Sequence, residues 1–205
     1  MPLQNRVTPY GTLTASRSRA ATLFGNRGCL HDDAGRIVRW AVGPRWIACQ
    51  LSFKGRRRSP LLQPGRYTEL FFLDEATALA CGHRPCVECR RADFVRFADA
   101  FAAGNGLPSR PTAAALDALL QPERPTRAGA LLHRARVEDL PDGTMIDVDG
   151  APALLTGGVA RRWTVDGYAD RSPGRPSGVV DVITPPSIVR TLVAGYEPRL
   201  HAGWG

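Results

Sequence analysis

Apolar residues occupy every second position from Ile47 to Phe53, which is the pattern of a half-buried strand within residues 45–54. This alternation places Cys49 on the apolar face of the predicted strand. Two further strands are predicted over residues 36–41 and 66–73. The first 34 positions are rich in Thr, Ser, Arg, Gly and Asn, and we expect loops with little regular structure there.

Helical signals begin at Asp74. This residue is a good N-cap, strong helix formers follow it, and Gly82 is a natural C-terminal stop. A short helix is also predicted over residues 112–121. Between them a longer helix is predicted over residues 91–103, where phenylalanines recur at helical spacings and should lie in the core: Phe94, Phe97 and Phe101.

Turn signals dominate the last third of the chain. Asp149-Gly150 predicts a tight hairpin turn, and short elements are predicted around it: strands over 145–148, 151–155, 160–164 and 179–183, and a helix over 187–194. We therefore predict an α+β fold. Residues 1–121 would form a basic, strand-rich lobe with a metal-binding unit, and residues 137–205 a small β-rich subdomain.

The composition excludes several classes of protein. The 205 residues are 43% hydrophobic, which argues against wholesale disorder. No stretch approaches the roughly 20 apolar residues that span a bilayer, so an integral membrane protein is not expected. Residues 1–20 lack the apolar core of a secretory signal, and the cysteine count of five is odd, which makes a disulfide framework unexpected. Both features favour a cytoplasmic location.

Positive charge is concentrated in residues 1–66, which carry twelve basic and two acidic side chains, whereas the whole chain has a formal charge of +8. A basic lobe of this kind is typical of a polyanion-binding surface, so we expect a nucleic-acid or other phosphate partner. The alternative is a solvated basic face. The densest basic segment spans residues 54–58, and the predicted nucleic-acid contacts are Lys54, Arg56, Arg57, Arg58 and Arg84.

Residues 81–89, with the sequence CGHRPCVEC, carry the clearest chemistry in the chain. Cys86 and Cys89 form a C-x-x-C pair, a spacing that lets two thiolates bind one tetrahedral ion, and His83 stands three residues earlier. Zinc is the expected metal for such ligands. Four ligands within nine residues would be crowded, so at least one is expected from elsewhere in the chain, with Cys49, Cys29 and His31 as candidates.

The predicted ligand set is His83, Cys86, Cys89 and Cys49. Two alternatives stay open from the residues alone. A C-x-x-C pair can act as a redox dithiol, although that motif usually follows the first strand of a thioredoxin-like unit, and here a helix is predicted before it. The cysteines can also be inert thiols, because buried cysteines are common on apolar strand faces.

Residues 74–89, with the sequence DEATALACGHRPCVEC, resemble the second half of the zinc-binding domain of Ada-type DNA methylphosphotriester repair proteins. In that family a small-residue helix ends in Gly-x-Arg-Pro-Cys-x-x-Cys, and the two cysteines complete a four-cysteine zinc site. The resemblance implies that Cys86 and Cys89 are zinc ligands and that Arg84 belongs to the turn. The family's upstream C-x-x-x-C pair has no counterpart here, since Cys49 stands alone in the preceding strands, so methyl transfer is not implied.

These observations lead to three functional hypotheses. The first is a zinc-binding protein that engages nucleic acid through its Arg-rich first third, in the context of DNA repair or processing. The second is a zinc-dependent hydrolase or repair enzyme in which three protein ligands leave one metal position open. The third is a metal-free interaction protein with reduced thiols. Residues 137–205 give no functional signal, and the sequence leaves open whether the protein is an enzyme.

Overall fold

The computed structural model describes residues 2–55, 59–169, 174 and 176–202. This part of the chain contains two six-stranded sheets and four α-helices, so the α+β class is confirmed. The strands β1 to β12 are, in chain order, Gln4–Val7, Leu13–Ala15, Leu23–Asn26, Ile47–Gln50, Leu70–Phe72, Arg84–Pro85, His133–Arg136, Met145–Val148, Ala151–Thr156, Val159–Thr164, Gly167–Tyr168 and Val179–Val182. The helices α1 to α4 are Glu75–Ala80, Arg91–Gly104, Ala113–Leu120 and Pro186–Val193.

The N-terminal sheet has the strand order β2-β1-β5-β3-β4-β6, in which β1–β5 and β4–β6 are parallel pairs. Three of its strands lie in the segment before residue 35, so the prediction of loops there was wrong. These strands have three or four residues each and show no long apolar alternation. Pairing with β4 and β5, which lie far along the chain, makes them strands, and local sequence carries little of that information.

The prediction of a strand over residues 36–41 was also wrong, because this segment forms only one isolated bridge, between His31 and Ile37. Asp32 redirects the chain: its Oδ1 accepts hydrogen bonds from the backbone N–H groups of Ala34 and Arg36. Such side-chain bonds compete with a ladder and favour a turn. The strands predicted over 45–54 and 66–73 are present in shortened form, as β4 and β5.

The two faces of the N-terminal sheet differ. One face packs on α1, and its buried side chains form a cluster with the helix: Leu23, Ala48, Leu70, Phe72, Ala78 and Cys81. The opposite face carries a second, smaller cluster of buried side chains, Phe24, Cys49 and Cys86, with Phe71 and Cys89 packed against it. Successive side chains of a strand point to opposite faces, and for this reason Ala48 and Cys49 belong to different clusters.

The helices begin and end largely where the sequence predicts. Asp74 caps α1, since its side chain accepts a hydrogen bond from the backbone N–H of Thr77 at 2.9 Å. Thr112 caps α3 in the same way. The predicted phenylalanine stripe is buried on α2, where it packs against α4 with Ile188, Leu192 and Tyr196. This packing positions α2, which begins two residues after Cys89.

The C-terminal sheet has the strand order β11-β10-β9-β8-β12-β7, and the Asp149-Gly150 turn joins β8 to β9 as predicted. Its side chains share a core with α1: Ala76 and Ala80 lie in one buried cluster with Met145, Leu154 and Ile183. The division into residues 1–121 and 137–205 stays a prediction, and the two stretches contact each other both through this cluster and through the α2–α4 pair.

Candidate metal centre

Cys49 belongs to the candidate metal site and lies on the strand next to one edge of the sheet. It lies on β4, between β3 and β6, and its direct partner across the antiparallel ladder is Phe24. Its side chain is buried, on the face away from α1. The predicted burial of Cys49 is therefore confirmed, whereas the alternation does not extend to Leu51, which is exposed beyond the end of β4.

Backbone pairing brings Cys86 to the same place. The strand β6 runs parallel to β4: the N–H of Arg84 donates to the carbonyl of Trp46, and the N–H of Cys86 donates to the carbonyl of Ala48 at 2.9 Å. A tight turn follows, closed by a hydrogen bond from the N–H of Arg90 to the carbonyl of Cys86 at 3.1 Å. This turn returns Cys89 to the end of β4, one residue before the turn passes into α2.

The three sulfurs form a compact group. The Sγ atoms of Cys49, Cys86 and Cys89 all lie within 4.8 Å of one another. A tetrahedral zinc with Zn–S bonds of about 2.3 Å separates its sulfurs by about 3.8 Å, so the group needs only small side-chain adjustments to accept the ion. Soft thiolates select zinc and other thiophilic metals over magnesium or calcium. The donor set therefore fits a metal ion of that class.

Backbone N–H groups point at two of the sulfurs. The N–H of Glu88 donates to Cys86 Sγ, and the N–H of Gln50 donates to Cys89 Sγ, each at 3.4 Å. Hydrogen bonds from the Cys49 and Cys89 side chains hold the pKa of the Cys86 thiol well below its ordinary value. The hydrogen bonds to Cys86 and Cys89, with burial, raise the pKa of Cys49, and the pKa of Cys89 is raised as well, so the metal-free group favours one thiolate with two thiols donating to it. Donors around a sulfur stabilise the thiolate, which is the form that binds a metal.

His83 does not join this group. Its imidazole is fully buried on the α1 side of the sheet, with ring centroids 4.7 Å from Phe72 and 5.1 Å from Trp46, and its Nδ1 lies 3.4 Å from Cys81 Sγ. Residues three apart in an extended segment point to opposite faces, so His83 and Cys86 are on different sides of β6. Burial, with the nearby charges of Arg27 and Arg124, lowers the pKa of His83 well below its ordinary value.

The remaining distant candidates have other partners. His31 is buried, with Nδ1 at 2.6 Å from Thr68 Oγ1 and Nε2 at 3.2 Å from the carbonyl of Gln63. The Cys29 thiol lies 3.7 Å from the carbonyl of His31. Within the described ranges, no further Cys, His, Asp or Glu belongs to the three-sulfur group. The centre thus offers three protein ligands.

Arg84, expected to contact phosphates, is instead a structural residue. Its side chain is 2% exposed and forms an ion pair with Asp117 of α3, and its guanidinium also lies over the ring of Phe94. A cation held in this way cannot reach a nucleic acid at the surface. The prediction was wrong because the sequence shows the charge of Arg84 but not the carboxylate that α3 brings to it.

Of the other predicted phosphate contacts, the structure describes Lys54 alone. Lys54 is exposed, and its Nζ lies 5.2 Å from the ring centroid of Phe53. Arg56, Arg57 and Arg58 lie outside the described residues, and their predicted role stays a prediction.

No family model, curated protein or solved structure matches this chain. The described helices are all too short or too polar to cross a bilayer. The protein is therefore described from its own structure. It is an α+β protein with a three-cysteine group that could hold a metal ion, and this group lies on the sheet face opposite to α1.

Proposed function

We propose that the protein binds zinc through Cys49, Cys86 and Cys89 and engages nucleic acid through its basic N-terminal third. The observation that carries the zinc proposal is the convergence of three thiols, two from one turn and one from a strand about 40 positions earlier, within 4.8 Å. Three thiolates this close repel one another unless a cation lies between them, so a bound zinc would stabilise all three in the ionised form.

The resemblance of residues 74–89 to Ada-type zinc domains supports the same proposal. In that resemblance Cys86 and Cys89 are ligands, and both are in the three-sulfur group. The zinc would tie β4 to the start of α2, and the metal would have a structural role in this arrangement. A structural zinc contributes its binding free energy directly to folding.

Three protein ligands also favour a second candidate, a zinc centre with an open fourth position. In such a centre a water or a substrate atom completes the tetrahedron, and hydrolytic or repair chemistry becomes available. The observation that favours this candidate is that three protein ligands, and not four, are found in the group. The fourth zinc ligand distinguishes this candidate from a structural site. An exchangeable fourth ligand can be replaced by an added small anion or thiol, whereas a closed structural site resists such replacement.

The zinc proposal is tested by elemental analysis of untagged protein. We expect about one zinc per chain in the wild type and none in the Cys86→Ser, Cys89→Ser double variant. The matched control is Cys29→Ser, which also removes a cysteine but leaves the three-sulfur group intact. A wild-type protein that is folded and holds no zinc would favour the metal-free alternative with reduced thiols.

The nucleic-acid proposal is tested separately, by fluorescence anisotropy with labelled DNA and RNA. Phosphate contacts release counterions, so the binding constant should fall steeply between about 50 and about 200 mM salt. Binding that is absent at low salt would refute this half of the proposal and leave the zinc half standing.

A further inference from the structure

One row of side chains crosses four strands on the same face of the N-terminal sheet as the three cysteines. In the registers of the ladder, Cys49 of β4 faces Phe24 of β3, Phe24 faces Phe71 of β5, and Phe71 faces Arg6 of β1. The rings of Phe24 and Phe71 meet edge to face at 6.2 Å, and the Arg6 guanidinium lies 4.7 Å from the centroid of Phe71. Adjacent strands are about 4.8 Å apart, so Arg6 is about 14 Å from Cys49 along the row.

A groove of about 640 Å³ opens at the Arg6 end of this row. Three arginines line it, Arg6, Arg17 and Arg19, and no acidic residue is among its lining within the described chain. Arg17 and Arg19 are exposed, and no ion pair joins any of the three to a described carboxylate. The groove is therefore a concentration of uncompensated positive charge.

Among the described residues, Arg6 is held in place by neutral acceptors. Its Nε and Nη2 donate to the carbonyl of Ser18 at 3.3 and 2.9 Å, and its Nη1 donates to Asn5 Oδ1 at 2.7 Å. These bonds orient the guanidinium without neutralising it. Partial burial and the nearby charge of Arg19 lower the pKa of Arg6. Like charges held together in this way are destabilising in the free protein, and an anion between them relieves the repulsion.

Apart from Ser16, the rest of the lining is apolar. Phe71, Leu51 and Leu61 border the groove beside the arginines. A duplex presents phosphates at its surface and keeps its bases stacked inside, whereas a single strand offers both phosphates and exposed bases. Aromatic rings and guanidinium planes are the platforms on which such bases stack. The groove combines cations with an oriented guanidinium, an aromatic ring and leucine side chains. It therefore matches a single strand, which exposes both phosphates and bases, better than a duplex.

We infer that this groove binds the phosphodiester backbone of a single-stranded nucleic acid, with Arg17 and Arg19 on phosphates and the plane of Arg6, backed by Phe71, under a base. The inference rests on the nucleic-acid half of the proposed function. It places the contact on the face of the sheet that carries the metal centre, and Leu51, two residues after Cys49, borders the groove on that side.

The test uses fluorescence anisotropy of the full-length, zinc-loaded chain with a labelled oligothymidylate of about 16 nucleotides. The probe variant is Arg17→Gln, Arg19→Gln, and the matched control is Arg91→Gln, Arg127→Gln, which removes the same charge from exposed sites outside the groove and outside the basic N-terminal third. We expect the probe variant to bind about tenfold more weakly, with the slope of log K against log salt reduced by about 1.4, and the control to change little.

Further variants and ligands test the contact between the Arg6 plane and a base. Arg6→Lys keeps the charge and loses the plane, so its affinity should fall while the salt slope stays unchanged. A duplex of the same length and inorganic polyphosphate should both bind more weakly than the single strand. Thermal melts of each variant verify that it is folded.

The outcomes separate the inference from the function on which it rests. If probe and control variants lose affinity equally, or if the duplex or polyphosphate binds as tightly as the single strand, the groove assignment is wrong and nucleic-acid binding stands. If the wild type binds none of these ligands at low salt, the nucleic-acid half of the proposed function fails and the groove assignment fails with it. Zinc content, measured independently, is unaffected by either result.

Discussion

Arg84 and Asp117 form a buried, two-pronged ion pair that links β6 to α3. Arg84 Nε lies 3.0 Å from Asp117 Oδ1, and Nη2 lies 2.7 Å from Oδ2. Arg124 shares the same carboxylate, with its Nη2 at 3.1 Å from Oδ1. The segment that leads into Cys86 is thus tied to α3 by a buried charge network.

Loss of this ion pair should lower the stability of the folded protein. We expect Arg84→Gln to lower the free energy of unfolding by about 2 kcal/mol, because it removes charged hydrogen bonds to Asp117 while Arg124 still pairs with that carboxylate. Urea denaturation measures the change. The control is Arg91→Gln, an exposed arginine nearby, which should change stability by less than about 0.5 kcal/mol. Equal stability of the two variants would contradict the structural role of Arg84.

Cys49 should be as important for zinc as the C-x-x-C pair. Substitutions of outer partners of a metal ligand cost about 10- to 100-fold in affinity, so loss of the ligand itself in Cys49→Ser should cost more than about 100-fold. Competition with a chromophoric chelator gives the affinity. Cys29→Ser is the matched control and should bind zinc as the wild type does, because its thiol lies outside the three-sulfur group. Unchanged affinity in Cys49→Ser would remove Cys49 from the ligand set.

His83 should be dispensable for zinc although it was predicted as a ligand. The imidazole is packed between Trp46 and Phe72 on the other face of the sheet. We expect His83→Gln to hold about one zinc per chain in its folded fraction and to melt at a lower temperature, because it disrupts a buried aromatic contact. Elemental analysis of gel-filtered protein decides the point. A folded His83→Gln variant without zinc would restore His83 as a ligand.

Zinc removal should destabilise the protein without unfolding it. An ion at about 100 times its dissociation constant adds about 2.7 kcal/mol to stability, which corresponds to about 5–10 °C in the melting temperature of a chain of this size. The cores on α1, α2 and the C-terminal sheet do not involve the cysteine group and should hold the fold. Calorimetry before and after chelation measures the shift, and added zinc should restore it where magnesium does not. An unchanged melting temperature after verified zinc loss would show that the metal does not stabilise this fold.

Asp93 should contribute to the sensitivity of the fold to acid. Burial alone would raise the pKa of Asp93, but the guanidinium of Arg90, with those of Arg96 and Arg199, holds this pKa below its ordinary value. A carboxylate with a lowered pKa stabilises the folded state above its unfolded pKa of about 3.9, and this contribution is lost as the pH falls through the folded pKa.

The variant Asp93→Asn should therefore lose less melting temperature than the wild type when the pH is lowered from about 6 to about 3. Melting curves across that range provide the measurement. Asp99→Asn serves as the comparison, because Asp99 pairs with Arg110 at an exposed site and should matter less. A wild-type slope in Asp93→Asn would assign the acid sensitivity to other carboxylates.

The local pattern of the chain is sufficient to predict the helices and part of the metal centre. The caps Asp74 and Thr112 and the phenylalanine stripe of α2 are local signals, because a helix satisfies its hydrogen bonds within the segment. The spacing of Cys86 and Cys89 is local too. Cys49 was one of three distant candidates, and the alternation of its strand gave its face but not its partners.

Tertiary structure decided which of these residues meet. Strands need partners from elsewhere in the chain, so β1 to β3 could not be recognised from segments of three or four residues. The same pairing places Arg6 beside Phe71 and creates the basic groove, for which the sequence before residue 35 shows only scattered arginines. His83 was misassigned because pairing with β4 makes its segment extended, and in an extended segment His83 and Cys86 point to opposite faces. Arg84 was misassigned because its carboxylate partner, Asp117, comes from α3. Composition and local periodicity thus determined the class, the helices and the C-x-x-C pair, whereas the sheet register, which depends on contacts between distant segments, decided the third ligand and the groove.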